Sequence, residues 1–211
     1  MKTAPLTMKI ALILAGGAAL LFGALAIGLW WDLRGGGAAA LSPGEAVAPV
    51  DIGGDFTLTD QNGVTRHAAD FHGQLMLIYF GYSSCPDACP TALQDMSNAI
   101  DSLGKAGDSV QPIFITVDPA RDTAAQLKLY AQNFHPRLVA LTGTPEQIAA
   151  AAAAYRVYYA KDTQSTEGGD YAMDHSSFTY LMGRDGHYIS HFPPGTSSAQ
   201  MAAAIARHLQ N

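Results

Sequence analysis

Short apolar runs alternate with amphipathic helical segments through the middle of this chain, and this alternation limits the possible fold most strongly. The runs Leu75–Phe80, Pro112–Val117 and Leu138–Leu141 have the length and composition of buried strands. Helical patterns separate them, from Pro90 to about Leu103 and from Thr123 to Phe134. Strands joined by helices lie parallel in one sheet through right-handed connections. The alternation therefore predicts an α/β domain built on a largely parallel central sheet.

Further elements flank this central part. An N-terminal hairpin is predicted ahead of it, because Asn62-Gly63 is a strong turn signal between two short alternating segments. After it, the sequence predicts a helix that starts at Thr144, a strand near Val157–Ala160, a second hairpin and a last helix that ends at Leu209. The second hairpin pairs Phe178–Met182 with His187–Phe192. The expected result is a central mixed sheet flanked by helices.

The only two cysteines of the chain lie four residues apart, where the first predicted central strand gives way to a helix. Pro90 lacks an amide donor and cannot lie deep inside a helix, so Cys89 belongs in or just before the first turn, with Cys85 in the loop. The helix dipole favours thiolate at such a position. A bridge between these cysteines would close a very short loop and stabilise the fold by roughly 2 kcal/mol at best. The pair is therefore predicted to react as a redox dithiol, to bind a soft metal, or both.

A metal site would need a third donor beside the two thiolates. Of the seven histidines, His175 is the most suggestive, because it directly precedes a predicted strand. Two cysteines and one histidine suit copper(I) and tolerate copper(II) or zinc with an added water, and the residues alone do not choose among these metals. Met173 is a possible soft neighbour, although a methionine beside a strand also serves packing. The alternative for His175 is an ordinary hydrogen-bonded loop histidine.

Asp118 and Arg121 follow the strand Pro112–Val117 and leave the sheet at the same edge as the Cys85 loop. Ligand sites of open α/β sheets lie at the carboxyl ends of the strands. These two residues are therefore predicted to position a thiolate or to dock a partner. The alternative is helix-entry capping with a surface ion pair.

The segment Ile10–Trp31 carries no charge and is long enough to cross a bilayer core of about 30 Å. With basic residues ahead of it, the positive-inside rule predicts residues 1–9 as a cytoplasmic tail. Residues 10–31 would then be a single-pass anchor in the inner membrane and residues 32–50 a flexible linker rich in Gly, Ala and Pro. The domain of residues 51–211 would lie in the periplasm or an equivalent exported space. A cleaved signal peptide is the alternative.

The overall charge restricts the possible partners. The formal net charge is −6. Nucleic acids are polyanions and are bound by positively charged surfaces, so the composition argues against nucleic-acid binding. The hydrophobic fraction of 48% is sufficient for a globular core.

Several blocks of the sequence together resemble the Sco/SenC family. They occur in the family's order between about Gly54 and Leu209, which makes the resemblance more specific than the CxxxC spacing alone. The blocks are Gly81–Thr91, Phe114–Thr123, Leu141–Pro145, Tyr155–Tyr159 and Asp174–Ser176.

The resemblance implies a thioredoxin-like fold in which CxxxC replaces the CxxC of thioredoxin. It implies one copper ion per chain, copper(I) and/or copper(II), bound by Cys85, Cys89 and His175, and it matches Asp118 to an acidic residue near the site. The acceptor would be the CuA site of cytochrome c oxidase subunit II, with another periplasmic copper chaperone or a thiol reductant as donor. The chain departs from the family at Ser83-Ser84, where a bulkier pair is common, and this affects access to the site.

Two functions stay open on this basis. The first is a membrane-anchored copper metallochaperone that delivers copper to the CuA site. The second is a thiol-disulfide oxidoreductase, in which Cys85 and Cys89 are the redox-active pair that reduces the CuA-site cysteines or another exported acceptor. The hypothesis of a thiol peroxidase or a redox-sensing protein is weaker. Arg121 could assist the cysteine in such a protein, but the block around His175 would have no explanation.

Overall fold

The computed structural model describes Trp30, residues 52–162 and residues 171–209. The elements below belong to one compact unit, Val50–Asn211. The predicted cytoplasmic tail, membrane anchor and linker lie outside the described residues, apart from Trp30. Among the residues that are described, no helix combines the length and the apolar character needed to cross a bilayer.

The described residues of this unit form nine strands and four α-helices. The strands are β1 Thr57–Asp60, β2 Thr65–His67, β3 Leu75–Gly81, β4 Val110–Thr116, β5 Val139–Thr142, β6 Tyr159–Asp162, β7 Ala172–His175, β8 Thr179–Met182 and β9 Tyr188–Phe192. The helices are α1 Ala88–Ser102, α2 Ala124–Ala131, α3 Pro145–Ala154 and α4 Ser198–Leu209, with short 3-10 turns at Ala68–Phe71 and Gly104–Ser109.

One mixed sheet of seven strands forms the centre, in the order β2-β1-β5-β4-β3-β8-β9. Strands β3, β4 and β5 are parallel, as their helical connections predict, whereas β1 and β8 run antiparallel to their neighbours β5 and β3. All seven residues of β3 are buried, which explains why this strand reads as a continuous apolar run rather than an alternating one. The predicted central sheet and both predicted hairpins are confirmed.

The two faces of β3 contact different helices. Tyr79 of β3 pairs in register with Phe114 of β4, and the ring of Phe114 contacts Tyr130 of α2. The alternate residue, Phe80, packs against Tyr155 at the end of α3. Because side chains alternate along a strand, Gly81 lies on the same face as Tyr79, and this is the face on which α1 brings a cysteine.

Helix α1 begins at Ala88, two residues earlier than the pattern predicted. Pro90 is its third residue, where its missing amide proton removes no intrahelical hydrogen bond. Cys89 is therefore in the first turn, as predicted. Threonine caps start the next two helices: the hydroxyl of Thr123 accepts from the amide of Gln126, and Thr144 forms a full capping box with Gln147.

Strands β6 and β7 form a separate antiparallel pair, here called the histidine ribbon. The strand predicted at Val157–Ala160 is displaced by two residues, to Tyr159–Asp162, and β7 was not predicted at all. Strand β7 is short and pairs only with β6, so its pattern is too brief to identify. The amide of Ser176 donates to the carbonyl of Tyr158 at 2.9 Å and closes one end of the ribbon.

Candidate metal centre

The two cysteines occupy different environments at the start of α1. Cys89 is fully buried, whereas Cys85, in the loop between β3 and α1, is partly exposed. The backbone amide of Cys89 donates to the sulfur of Cys85 at 3.4 Å. The outer sulfur therefore faces the unsatisfied amides at the N-terminus of the helix, which stabilise negative charge.

This environment separates the acidities of the two thiols. The pKa of Cys85 is lowered to about 3, chiefly by a hydrogen bond from the Cys89 side chain, with further contributions from His175 and from the amides of Cys89 and Asp87. The pKa of Cys89 is raised, first by the same interaction with Cys85 and then by burial. Near neutral pH the pair therefore holds one thiolate, on the outer sulfur, and one thiol, on the inner sulfur.

Gly81 and Tyr79 shape the pocket around the inner sulfur. A Cβ atom at Gly81 would lie 2.7 Å from the sulfur of Cys89 and 2.9 Å from the Tyr79 ring. The Tyr79 hydroxyl directs its proton toward the same sulfur across 3.9 Å. The absence of a side chain at Gly81 is therefore what lets Cys89 pack directly against the end of β3.

His175 ends β7 and reaches the cysteine pair. Its Nε2 atom lies 3.5 Å from the sulfur of Cys89, and its ring makes edge contacts with Tyr79 and Tyr82 at centroid distances of 6.0 and 5.9 Å. Its Nδ1 atom lies 3.3 Å from the carbonyl oxygen of Ser176. A carbonyl only accepts hydrogen bonds, so Nδ1 is the donor where this contact forms, and the role of Nε2 toward the sulfurs is set by the tautomer of the ring.

The alternation of β7 explains this orientation. Met173 is buried, Asp174 is exposed and His175 is again partly buried, so Met173 and His175 lie on the inner face of the histidine ribbon. Met173 lines a cavity of about 420 Å³ together with Asp118 and Lys161. The predicted soft neighbour is thus buried, and the cavity that it lines includes neither cysteine.

The spacing of two donors suits a soft metal ion, although a complete set of three ligands is not preformed. Thiolate and imidazole donors bind metals at about 2.0–2.3 Å, so two donors on one ion lie roughly 3–4 Å apart, which agrees with the 3.5 Å between Cys89 and His175. Within residues 52–162 and 171–209, however, no three His, Cys, Asp or Glu side chains already stand as a complete metal-binding group. Cys85, on its partly exposed loop, is the donor that would adjust.

Asp118 and Arg121 form an ion pair in which Asp118 is only 3% exposed while Arg121 is partly exposed. The Asp118 carboxylate also accepts hydrogen bonds from the hydroxyl of Tyr171 at 2.8 and 3.1 Å. These contacts join the end of β4 to the start of the histidine ribbon. The ion pair considered as the alternative does form, with its carboxylate buried and its arginine partly exposed, and further contacts of Asp118 run to the ribbon.

Asp122 is a site residue that the sequence analysis missed. Its carboxylate is fully buried and accepts from the amide and the hydroxyl of Ser83, at 2.9 and 2.5 Å, and from the hydroxyl of Thr116 at 2.6 Å. These bonds hold the loop that carries Cys85 against the end of β4. The position of Ser83 just ahead of the cysteines, where the chain departs from the family it resembles, was the available signal.

Comparison with known proteins identifies the family of this chain. The SCO1/SenC family profile matches residues 45–210. A SCO2-like protein of Rickettsia felis is 46% identical over 143 residues, which are 68% of this chain and 70% of that protein. The structure of Bradyrhizobium japonicum ScoI with copper bound is 45% identical with a TM-score of 0.69, and the match covers 74% of this chain and 99% of that one.

A more distant structure shares the fold. BsSco, described as a member of the Sco family of cytochrome c oxidase assembly proteins, is 22% identical with a TM-score of 0.59, and the match covers 77% of this chain and 96% of that one. Together with the sheet order, these similarities confirm the predicted thioredoxin-like α/β fold with a central mixed sheet.

Proposed function

Because this chain belongs to the SCO1/SenC family, we propose that it binds one copper ion and delivers it to the CuA site of cytochrome c oxidase subunit II. The ligands are Cys85, Cys89 and His175. The observation that carries the proposal is the 3.5 Å separation between the Nε2 atom of His175 and the sulfur of Cys89. Copper in a related ScoI supports the choice of metal.

The donor set and its protonation suit copper(I) and also accommodate copper(II). Two sulfurs and one imidazole nitrogen are soft donors in a site of low coordination number. Thiols bind metals as thiolates. Since Cys85 already carries its negative charge and Cys89 does not, loading the site releases the proton of the inner sulfur.

The unequal exposure of the cysteines suggests how copper leaves. Cys89 is fully buried, whereas the partly exposed Cys85 faces solvent. An acceptor thiolate therefore adds to the metal on the Cys85 side, and Cys85 dissociates before the inner ligands do. Another periplasmic copper chaperone is the donor in this scheme, and Asp118, Arg121 and Met173 are the neighbouring groups that position the ligands or dock the acceptor.

The location follows from the sequence outside the described residues. The uncharged segment Ile10–Trp31 anchors the chain in the inner membrane, with the N-terminus in the cytoplasm. The copper-binding domain then lies in the periplasm, or in an equivalent exported space, where the CuA domain of the oxidase is also exposed.

Copper transfer to an isolated CuA domain tests the proposal. The reduced full-length chain, loaded with one equivalent of copper(I), is mixed with the metal-free acceptor domain, and the copper gained by the acceptor is measured by metal analysis after the two proteins are separated. We expect transfer from the native chain and from the control His187→Ala, whose histidine is exposed in the β8–β9 turn. His175→Ala is expected to fail. Equal transfer by both variants would contradict the role of His175.

A thiol-disulfide oxidoreductase is the second candidate, favoured by the lowered pKa of Cys85. In that reaction the Cys85 thiolate attacks an acceptor disulfide, and one acceptor sulfur leaves as thiolate. Cys89 then loses its proton and attacks Cys85, which releases the second acceptor thiolate and leaves a Cys85–Cys89 disulfide. The acceptor gains two electrons and the chain loses two.

The same variant separates the two candidates. The reductase needs no imidazole ligand, so His175→Ala retains metal-free disulfide reduction if this is the working chemistry. We expect metal-free turnover to be negligible in the native chain and copper binding to be stoichiometric. Robust metal-free turnover in both the native chain and His175→Ala would favour the oxidoreductase.

A further inference from the structure

We propose that Tyr171 is a positioning residue, which holds the histidine ribbon so that His175 stands beside the cysteines. This inference rests on the proposed copper site. Tyr171 precedes β7 by one residue and His175 by four. It is the point at which the ribbon is fastened to the loop that follows β4.

Several contacts converge on this one side chain. Its hydroxyl donates to both oxygens of Asp118, at 2.8 and 3.1 Å. The guanidinium of Arg121 lies 3.8 Å from the ring centroid, and the ammonium of Lys161 lies 3.7 Å from it. Both distances are well within the range of cation–π attraction. The tyrosine is thus held by an anion at its hydroxyl and by cations at its ring.

The backbone strengthens the same connection. Arg121 pairs with Asp118 and also donates to the carbonyl oxygen of Tyr171 at 2.9 Å. One arginine therefore links the carboxylate, the tyrosine ring and the tyrosine backbone. Because Arg121 presents donors in a rigid fork, this arrangement fixes orientation as well as distance.

The loop that receives Tyr171 also holds the cysteines. At its start Asp118 binds Tyr171, and at its end Asp122 binds the amide and hydroxyl of Ser83, two residues before Cys85. The five-residue loop Asp118–Asp122 is therefore fastened to the imidazole side of the site at one end and to the thiolate side at the other. A substitution of Tyr171 therefore removes the contact between the loop and the ribbon that carries His175, while all three proposed ligands stay in place.

Two variants of Tyr171 separate the contribution of its hydroxyl from that of its ring. Tyr171→Phe keeps the ring and its two cations while removing the hydroxyl from Asp118, and Tyr171→Ala removes both. Tyr158→Ala is the matched control, since Tyr158 directly precedes the same ribbon and its side chain is 65% exposed. All are made in the full-length chain, and thermal unfolding identifies any variant that fails to fold.

A metal-free measurement tests the positioning directly. Diethyl pyrocarbonate modifies accessible imidazoles, so the rate at His175 is read by peptide mass spectrometry against that at the exposed His187. We expect modification of His175 to accelerate in Tyr171→Ala, to a lesser degree in Tyr171→Phe, and not in the control. An unchanged ratio of the two rates in both Tyr171 variants would overturn the proposal.

Copper(I) affinity provides the second readout. Loss of a group that orients a metal ligand lowers affinity by about 10–100-fold, and we expect a loss in this range for Tyr171→Ala with unchanged stoichiometry. Unaltered affinity in a native chain that binds copper would contradict the proposal. If the native chain binds no copper, the proposed function fails, while the modification rates still decide whether Tyr171 positions His175.

Discussion

The Nε2 atom of His175 lies 3.5 Å from the sulfur of Cys89, although 86 residues separate them in the chain. Cys89 is carried by the first turn of α1, and His175 by the end of the histidine ribbon. The loop that follows β4 contacts Ser83 on the cysteine side and Tyr171 on the histidine side. We therefore expect this loop to help set the distance between a thiol and an imidazole that lie far apart in the sequence.

Alkylation of Cys85 is expected to be nearly independent of pH down to about pH 5, because thiolate is the reacting form. Its folded pKa is lowered to about 3, far below the value of about 8.5 for an unperturbed thiol. The rate therefore falls only when the solution approaches the lowered pKa. Iodoacetamide labelling of the reduced, metal-free chain, read by peptide mass spectrometry, measures this profile for each cysteine.

The labelling experiment has an internal reference and a control. Cys89, with its raised pKa and full burial, should stay unlabelled at neutral pH. Labelling in denaturant should show both cysteines titrating near about 8.5. A folded profile for Cys85 that follows the denatured one would show that the helix N-terminus and the Cys89 thiol do not stabilise its thiolate.

Gly81→Ala is expected to weaken both the fold and copper binding. The added methyl group would meet the Cys89 sulfur at 2.7 Å and the Phe114 ring at 3.1 Å, and such overpacking costs about 1–3 kcal/mol. Because the sulfur itself must move, copper(I) affinity should fall as well. Urea unfolding and a competitive copper(I) titration measure the two effects separately.

Gly107→Ala is the matched control for this prediction. Its Cβ atom would lie 2.4 Å from the carbonyl oxygen of Ile100, in the turn that leads into β4 at the opposite end of the sheet from the cysteines. We expect it to reduce stability without reducing the copper affinity of the folded chain. Equal losses of affinity in both variants would attribute the effect of Gly81→Ala to general destabilisation.

Asp122→Asn is expected to loosen the loop that carries Cys85. The native carboxylate receives three hydrogen bonds from Ser83 and Thr116, whereas the amide lacks the charge and must turn the Ser83 hydroxyl from donor to acceptor. Hydrogen bonds to charged groups are worth about 1.5–3 kcal/mol and those between neutral groups about 0.5–1.5 kcal/mol, so we expect a loss of about 1–2 kcal/mol. Urea unfolding measures the loss, and proteolysis near Ser84 should become faster.

Ser83→Ala removes one of the bonds to Asp122 and leaves the backbone bond in place. Its expected cost is smaller, about 1 kcal/mol, as for a typical single hydrogen bond. In the double variant the two costs should not add, because they remove the same interaction. Additive costs would mean that Asp122 does not act through Ser83.

The elements that could be predicted from sequence are those whose pattern is local. Leu75–Phe80 is apolar at every position, which identifies a buried strand. The threonine caps identify where two of the helices begin. The central sheet and its helical connections could therefore be predicted. The cysteine environment also follows, because proline restricts where α1 can begin. These features depend on neighbours within a few residues.

The features that could not be predicted depend on pairing across the chain. Strand β7 forms because it pairs with β6. Tyr171 can position the ribbon because it contacts Asp118, which is 53 residues earlier in the sequence. In the sequence Asp122 is an ordinary polar residue before a helix, and only the structure shows that Ser83 contacts it. That His175 approaches the cysteines was expected, whereas the groups that hold it there were visible only in three dimensions.

Anaerobic titration of the reduced full-length chain with copper(I), followed by X-ray absorption at the copper edge, tests the central claim most directly. We expect one equivalent of copper bound by two sulfurs and one nitrogen, with the nitrogen contribution lost in His175→Ala and retained in His187→Ala. Failure to bind a stoichiometric copper ion, or a nitrogen contribution that persists in His175→Ala, would contradict the account.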